Sequence, residues 1–309
     1  MKVVDIIIFI VLLVALGGGL YFLWQNLPGN TQDFQNLVIT NNTFPASKGI
    51  QFYPNMRYPD TKISFSIGSA CDDKKTQDAL SAFTRLENGT VLQFYQIPNA
   101  GQIQILCSNV APDSTDSSHF IAGEGGPKQI IISGPFYVIE SGEVSLYKTD
   151  DCTEPNIATH EILHALGFDH NNTDPNSIMF PVTSCGEKLD QYIIDKINEL
   201  YSTPSEPDLA LINATASKSG PYLSFEINVA NQGLQDALDA QLTLSNQNSL
   251  IKIYDMGGIP VGEDKKLTVS NLMVPRETNE VKFLISLSGN ASEISLNNNQ
   301  LVLTTNSTG

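Results

Sequence analysis

Three of the four histidines in the chain lie within eleven residues, from His160 to His170. His160 and His164 are four positions apart, so on a helix their side chains lie on one face about 5–6 Å apart and can reach one metal ion. Glu161 lies next to that face, close enough to contact a water molecule on the metal. Gly167 can adopt a positive φ, which would end the helix and let His170 reach the ion from a third direction.

Three neutral imidazoles leave a fourth coordination position open, which is the arrangement of a catalytic zinc ion and not of a structural one. Zinc makes bound water more acidic and polarises a bound carbonyl group. The window therefore predicts one catalytic Zn²⁺ on His160, His164 and His170, with Glu161 as general base and not as ligand. The alternative is three core histidines that align by chance, which would also have to place Gly167 at the required offset by chance.

A methionine turn follows the histidine window. Met179 is nine residues after His170, in a Ser-Ile-Met-Phe-Pro stretch that ends at Pro181. The long histidine pattern with such a turn resembles the metzincin clan of zinc peptidases, and Met-x-Pro with a third histidine ligand resembles its matrixin branch. Over residues 58–203 the resemblance implies a zinc metalloendopeptidase domain of α+β class, with a mixed twisted sheet and three helices. Met179 would form an apolar floor below the histidines, with Gly167 and Pro181 as structural support.

The same resemblance implies where a substrate would bind. In metzincins the substrate is added as a β-strand to an edge strand, here the strand near 119–123, and residues 180–187 would wall the pocket for the side chain after the cut. Matrixins often hold a second zinc with three further histidines and an aspartate. Only His119 remains here, which predicts that the second site is absent and that His119 is structural, with a substrate-side role as the alternative. The acidic loops 113–116 and 150–154 offer oxygen ligands for Ca²⁺, but no ligand spacing supports a calcium site.

The pattern around the window predicts the elements that would position it. Alternation of Ile63, Phe65 and Ile67 indicates a strand. The further predicted elements are a helix from Asp72 or Asp73 to Leu86, strands at 91–97, 103–106, 129–133 and 136–146, the histidine-bearing helix from 153–155 to 166, and a last helix over 188–201. This order of strands and helices is also that of matrixin catalytic domains.

The chain begins with an apolar segment. Residues 6–24 carry no charge, and roughly 28 Å of helix is enough to cross a bilayer core. A cleaved signal peptide, cut near residues 15–17, is the alternative. Apolar residues resume up to Trp24, and Tyr and Trp at that depth favour a retained transmembrane anchor over residues 1–25. Because Lys2 and the amino terminus are positive, the amino end is predicted inside and the catalytic domain outside the cell membrane.

All four cysteines lie in the part of the chain that is predicted to be outside, and none forms a Cys-x-x-Cys pair. An even number in an exported domain indicates disulfides, and four cysteines allow three pairings. We favour Cys71–Cys107 and Cys152–Cys185, because each bond would tie a helix start to a nearby strand or loop. Four free buried thiols are the alternative.

The composition changes on either side of the predicted catalytic domain, 59–203. Residues 26–58 are rich in Asn, Gln, Pro and Gly and are interpreted as a juxtamembrane linker. In residues 204–309, period-two apolar runs separated by turn residues predict an antiparallel β-sandwich. Its opening Pro-Asp-Leu at 207–209 and its closing asparagines at 297–299 resemble the CARDB-like, immunoglobulin-like module of prokaryotic surface proteins. Such a domain would serve as a spacer or bind a cell-surface ligand. The apolar runs are Leu223 to Val229, Leu242 and Leu244, Leu267 and Val269, Val281 to Leu287, and Leu301 and Leu303.

The formal net charge of −16 is spread along the chain without a basic run. This argues against nucleic acid or anionic lipid surfaces as partners and permits neutral or cationic peptides. Together the patterns predict a membrane-anchored, extracytoplasmic zinc endopeptidase that acts on protein or peptide substrates. The alternative is a surface adhesion or binding protein whose metalloprotease fold is not used for catalysis.

Overall fold

The computed structural model describes residues 3–34, 37–38, 49–112, 121–149, 152–182, 184–247 and 249–305. They form two compact units, each with its own hydrophobic core. The sandwich unit contains the N-terminal segment up to Asn41 with Asp208–Asn231 and Ala237–Gly309. The mixed-sheet unit contains Asn42–Pro207 with Gln232–Asp236.

Helix α1, Val3–Asn26, opens the N-terminal segment. Its 24 residues correspond to about 36 Å of helix. The stretch Val4–Asn26 is long and apolar enough to cross a membrane, and none of its most apolar window is buried. A signal sequence near the amino terminus has the same properties, so both predicted interpretations of this segment remain open.

The segment predicted as a linker is in part structured. Thr31–Asp33 (β1) and Leu37–Val38 (β2) pair antiparallel with a later strand, Leu209–Ser219. Between them, Phe34 is only 2% exposed and lies in the core of the sandwich unit. This stretch of the predicted linker therefore belongs to the sandwich unit. Backbone hydrogen bonds hold a short edge strand, and one buried aromatic ring is enough to seat it, so a polar composition does not reveal it. The predicted domain boundaries stay predictions.

Apart from the short strand Met56–Arg57, which the sequence pattern does not predict, the mixed-sheet unit has the predicted order of elements. Strands β3, β8, β6, β4 and β5 are neighbours in that order and run parallel, while β7 pairs antiparallel with β8. This confirms the predicted α+β class with a mixed sheet and three helices. The elements are Met56–Arg57 (β3), Lys62–Ile67 (β4), Asp73–Gly89 (α2), Gln93–Gln96 (β5), Ile103–Cys107 (β6), Gly123–Ser133 (β7), Phe136–Leu146 (β8), Asn156–Ala165 (α3) and Gln191–Leu200 (α4).

Two of these helices start at aspartates that cap them. The Asp72 side chain accepts a hydrogen bond from the Lys75 N–H at 2.9 Å, and Asp190 accepts one from the Ile193 N–H at 3.2 Å. Each bond satisfies a backbone donor that has no partner in the first helical turn. The buried faces of the two helices pack into the core of the sheet with Ala79, Phe83, Leu86, Ile193 and Ile197.

The rest of the sandwich unit consists of two antiparallel sheets. One contains β1, β9, β10 and β13, with β2 also paired to β9, and the other has the order β12, β11, β14, β15. Apolar residues of both sheets share one core, as expected for a β-sandwich. The strands are Leu209–Ser219 (β9), Tyr222–Asn231 (β10), Ala237–Ser245 (β11), Leu250–Ile259 (β12), Asp264–Met273 (β13), Glu280–Leu287 (β14) and Gln300–Thr304 (β15).

Besides β1 and β2, two further strands of the sandwich have no clear signal in the sequence. In β9 the register with β10 shifts between Leu211 and Asn213, so that Ile212 forms a bulge and the buried positions change from odd to even numbers. Such a bulge interrupts the period-two alternation on which strand prediction depends. Strand β12 lies at a sheet edge and is largely exposed, so it has little alternation to detect.

Both disulfides have the predicted pairing. Cys71 bonds to Cys107 and Cys152 bonds to Cys185, and no cysteine is free. The first joins the residue before the α2 cap to the end of β6. The second joins the segment before α3 to the loop between α3 and α4. The predicted reason, a helix start tied to a strand or loop, therefore applies to both bonds.

Replacing Cys152 and Cys185 together by serine should lower the free energy of unfolding of the mixed-sheet unit by about 2–4 kcal/mol, because the unfolded chain regains the freedom of a closed loop. The measurement is calorimetric unfolding without reductant. The matched comparison is the double serine variant of Cys71 and Cys107. The sequence separation of that bond is 36, close to the 33 of Cys152–Cys185, so a similar loss of free energy of unfolding is expected. A loss below about 0.5 kcal/mol would contradict the prediction.

Candidate metal centre

Helix α3 carries the histidine window through the interior of the mixed-sheet unit. All ten of its residues are buried, so its apolar side chains pack on every side. His160, Glu161 and His164 are polar yet only 4%, 7% and 6% exposed. Buried polar groups are costly unless they find partners, so these three side chains require a specific environment.

The chain leaves α3 through a glycine turn. Gly167 has φ +95°, and a Cβ at this position would lie 2.6 Å from Cγ of Met56. Both observations favour glycine, because a larger residue would be strained and would collide with the packed methionine. The Phe168 N–H closes the turn on the Leu163 carbonyl at 3.0 Å. The positive φ that the sequence predicts for Gly167 is therefore present in the structure.

The turn brings the three predicted ligands together. The Nε2 atoms of His160 and His164 are 3.0 Å apart, and each is 3.2 Å from Nε2 of His170. Within the described part of the chain, no other group of three His, Cys, Asp or Glu side chains is arranged to hold one ion. His170 is exposed while the other two are buried, so the cluster opens towards solvent on one side.

Backbone carbonyl groups orient the two buried rings. Nδ1 of His160 lies 2.6 Å from the carbonyl oxygen of Ile178, and Nδ1 of His164 lies 2.7 Å from that of Phe168. A carbonyl oxygen only accepts, so in each ring Nδ1 carries the proton and Nε2 presents a lone pair. Two unprotonated nitrogens therefore point at one position, beside Nε2 of His170. Metal-binding histidines are commonly oriented in this way, by a hydrogen bond from the other ring nitrogen to a backbone carbonyl.

The donor set fits zinc. A tetrahedral Zn²⁺ at 2.0–2.1 Å from three nitrogens would hold them roughly 3.3 Å apart, close to the separations seen here. Burial and then the neighbouring His164 imidazole lower the pKa of His160 to about 3, and burial lowers that of His164 to about 4. Burial also lowers the pKa of His170. The rings are thus neutral at physiological pH, as metal ligands must be.

Glu161 lies under strand β7, where two glycines make room for it. A Cβ on Gly123 would lie 2.6 Å from Cγ of Glu161, and a Cβ on Gly125 would lie 2.0 Å from its carbonyl oxygen. Burial raises the pKa of Glu161 to about 8, and the carboxylate of Glu124 on β7 adds to the rise. A dication on the histidines would oppose this and favour the carboxylate.

The methionine turn is held by hydrogen bonds at both of its ends. The Ser177 hydroxyl donates to Asp190 at 2.6 Å and accepts from the Met179 N–H at 3.2 Å. The Ile178 N–H donates to the Lys188 carbonyl at 2.8 Å, and its own carbonyl binds the ring of His160. Met179 is fully buried in the core. Its role as a floor below the histidines stays a prediction.

The loop that would wall the substrate pocket is fastened to α3. The Asn156 side chain donates to the Ser184 carbonyl at 2.7 Å, and the Cys152–Cys185 disulfide holds the same loop. Pro181, predicted as a support, is exposed in this loop. Its role also stays a prediction.

Several contacts of the site have no signal in the sequence. The ring of Phe52 stacks on that of His164 at a centroid distance of 5.7 Å. The Phe52 N–H also donates to the Gly167 carbonyl at 3.0 Å, and the Asp169 N–H donates to the Ile50 carbonyl at 2.7 Å. This short segment therefore covers the metal-binding turn from one side, although it precedes α3 by about a hundred residues. Only a non-local contact places it there.

Some predicted features lie outside the described residues. They are His119, the loop 113–116 and the first two positions of the acidic loop 150–154. The predicted substrate edge strand near 119–123 falls partly there as well. In the described part, the antiparallel edge strand is β7, which begins at Gly123.

Comparison with known proteins gives one family match. Residues 57–202 match the family model described as matrixin, Peptidase_M10. No curated protein matches the chain.

Two solved structures show distant likeness. One is high choriolytic enzyme 1, a hatching-enzyme zinc protease of the medaka fish Oryzias latipes, with 16% identity and a TM-score of 0.31 over 46% of this chain and 89% of that one. The other is a CARDB domain from Pyrococcus furiosus in complex with di-metal ions, with 16% identity and a TM-score of 0.26 over 32% of this chain and 88% of that one.

Gly125→Ala should disrupt the site, because the added methyl group would lie 2.0 Å from the Glu161 carbonyl oxygen and β7 would have to move away from α3. We expect the free energy of unfolding to fall by about 1–3 kcal/mol, the usual cost of overpacking, with weaker zinc retention. The measurements are thermal unfolding and zinc content after dialysis.

The matched control is Gly126→Ala on the same strand, where no atom lies within 4 Å of the added Cβ. This variant should unfold within about 0.5 kcal/mol of the parent, as surface substitutions usually do. Equal behaviour of the two variants would refute the close packing of β7 on α3.

Proposed function

We propose that residues 57–202, which match the matrixin family model, form a zinc metalloendopeptidase domain that cleaves protein substrates outside the cell while α1 anchors the chain in the membrane. One observation carries the assignment of the site. Three Nε2 atoms converge to within 3.0–3.2 Å of one another, and Glu161, the residue after His160, is buried. His160, His164 and His170 would hold the single catalytic zinc ion.

Each residue of the centre has a defined task in peptide hydrolysis. When bound, the zinc makes water acidic enough to attack near neutral pH and polarises the substrate carbonyl. The Glu161 carboxylate takes the proton of the attacking water and then delivers it to the nitrogen of the departing amine. Its burial beneath β7 keeps bulk water away from this proton. The Ile178 and Phe168 carbonyls hold the ligand rings in one orientation throughout.

Strand β7 supports an extended peptide as the substrate. Among the described residues, β7 pairs with β8 alone, so the backbone groups of its other edge can receive a further strand. Gly123 and Gly125 place this edge directly against Glu161. A peptide added here gains main-chain hydrogen bonds and passes close to the metal centre. Such binding requires a locally unfolded substrate.

The proposed topology places the active site outside the cell. Helix α1 is long and apolar enough to span a bilayer, and Lys2 on its short flank favours an inside amino end. The two disulfides of the mixed-sheet unit fit an oxidising compartment. For the sandwich domain we propose no catalytic role. It would act as a spacer or bind a cell-surface ligand.

Glu161→Gln should keep about one zinc ion per chain while kcat falls by a factor on the order of 10²–10⁴, because the amide cannot accept the proton of water. Activity is measured on unfolded casein and zinc by elemental analysis. The control is Glu140→Gln, which removes the same charge at an exposed position of β8 and should cleave like the parent. A Glu161→Gln enzyme as fast as the parent would disprove the mechanism.

Removal of the metal should abolish cleavage, and adding Zn²⁺ back should restore it, since the bound metal would polarise the carbonyl and make the water acidic. The full chain in detergent is treated with 1,10-phenanthroline, dialysed and assayed on casein before and after zinc is returned. Casein cleavage that persists in the zinc-free chain would contradict the assignment. A chain that binds zinc but never cleaves would favour the adhesion alternative.

A further inference from the structure

We infer that Glu124 is a specificity-determining residue that selects substrates with lysine or arginine at the position paired with it on β7. This inference rests on the proposed peptidase function and names the substrate class of the same site. The chemistry of the position is that of a single fixed carboxylate beside a strand edge.

The alternation of β7 fixes the direction of the Glu124 side chain. Gly123 and Gly125 face α3, since a Cβ on either would collide with Glu161. Successive residues of a strand point to opposite faces of a sheet. Glu124, between the two glycines, therefore points away from α3, and its side chain is exposed. Glu124 therefore lies between the two glycines that contact Glu161, but on the opposite face of the sheet.

A tyrosine fixes the carboxylate. The Tyr147 hydroxyl, just beyond the end of β8, donates to Oε2 of Glu124 at 2.6 Å. This bond raises the pKa of Tyr147, as expected when a hydroxyl donates to an ionised acceptor. Oε1 is left to accept hydrogen bonds from a ligand. A carboxylate held in one rotamer loses less entropy on binding than a free glutamate side chain.

The charge of Glu124 is not neutralised within the described part of the chain. The nearby cation of β7, Lys128, forms its ion pair with Glu143 of β8 at 3.0 Å. No described cation lies within ion-pair distance of Glu124. The pair between Lys128 and Glu143 has no net charge, so one negative charge remains on this part of the edge.

There is also space for a long side chain. A surface depression of about 250 Å³ is lined by Glu124, Gly125 and Gly126 together with Lys128, whose charge is paired with Glu143. The two glycines contribute no side chains to fill it, and nothing lies within 4 Å of a Cβ built on Gly126. The apolar stem of a lysine or arginine could lie across this surface with its charged end at Glu124.

Strand pairing gives the position of the selected residue. In an antiparallel pair, directly opposite residues share a face, with Cβ atoms about 4.5–5.5 Å apart. The substrate residue opposite Glu124 thus projects to the same side as Glu124. A lysine or arginine there would form a charge-assisted hydrogen bond with Oε1, whereas a glutamate would be repelled. We expect a preference on the order of tenfold for the basic residue over leucine.

The test uses the full chain in detergent with zinc and a positional-scanning set of quenched fluorogenic peptides. Each position in turn carries Lys, Arg, Leu or Glu. The parent should show one position where Lys and Arg raise kcat/KM about tenfold over Leu. In Glu124→Gln the Lys-to-Leu ratio at that position should fall to about one, and in Glu124→Lys the preference should move to Glu.

The matched control is Glu140→Gln, which changes the net charge by the same amount and should keep the parent ratio. Measuring a ratio separates specificity from any general effect that the charge of Glu124 has on Glu161, since a general effect changes all peptides alike. Thermal unfolding confirms that each variant is folded.

Two results would overturn the inference in different ways. If the parent cleaves peptides without a basic preference, or Glu124→Gln keeps that preference, the specificity assignment is wrong while the peptidase function stands. If the zinc-loaded parent cleaves no peptide in the set, the proposed function fails, and the specificity assignment fails with it.

Discussion

The structure depends on one electrostatic constraint, the direction of imidazole lone pairs towards a single position in a buried site. The Ile178 and Phe168 carbonyls fix the proton on Nδ1 of His160 and His164, so the Nε2 atoms can only accept. The Nε2 lone pairs of His160 and His164, 3.0 Å apart, repel each other unless a cation or a proton lies between them. The low pKa values of the buried rings disfavour the proton. The fold is therefore built for a metal ion, and the Met179 turn and the Gly167 turn are the parts that supply the carbonyls.

The second requirement is close approach between the sheet and α3. Strand β7 can lie against the helix because Gly123 and Gly125 have no side chains there. The absence of these two side chains, and the close approach that it allows, have two results. The edge that can receive an extended peptide passes directly over Glu161, and the alternate residue, Glu124, is presented to whatever pairs with that edge. The proposed catalytic group, Glu161, and the proposed recognition group, Glu124, therefore lie on two elements that pack directly against each other.

The sequence predicts the parts of the site that local geometry determines. His160, Glu161 and His164 follow from helical spacing, and Gly167 follows from the need to end that helix. The contacts that complete the site are non-local. The stacking of Phe52 on His164 depends on how distant segments pair, which no spacing in the sequence records.

The same limit applies to the fold. The mixed sheet and the sandwich are predicted wherever apolar residues alternate cleanly or a helix has a capped amphipathic face. Strand β9 lacks such a signal because the bulge at Ile212 changes its alternation, and β1 and β2 lack one because edge strands need few apolar side chains. These three strands are held by backbone pairing, which is independent of side-chain identity, and the sequence therefore does not reveal them.

The bond between Cys152 and Cys185 makes the candidate site depend on its redox surroundings. It joins the segment before α3 to the loop beside the methionine turn, and this covalent link exists only where thiols are oxidised. Where thiols are reduced, that covalent link is absent and the loop keeps its hydrogen bonds, among them the one from Asn156 to Ser184. The redox state of the surroundings thus decides whether this loop is covalently fastened to the segment before α3.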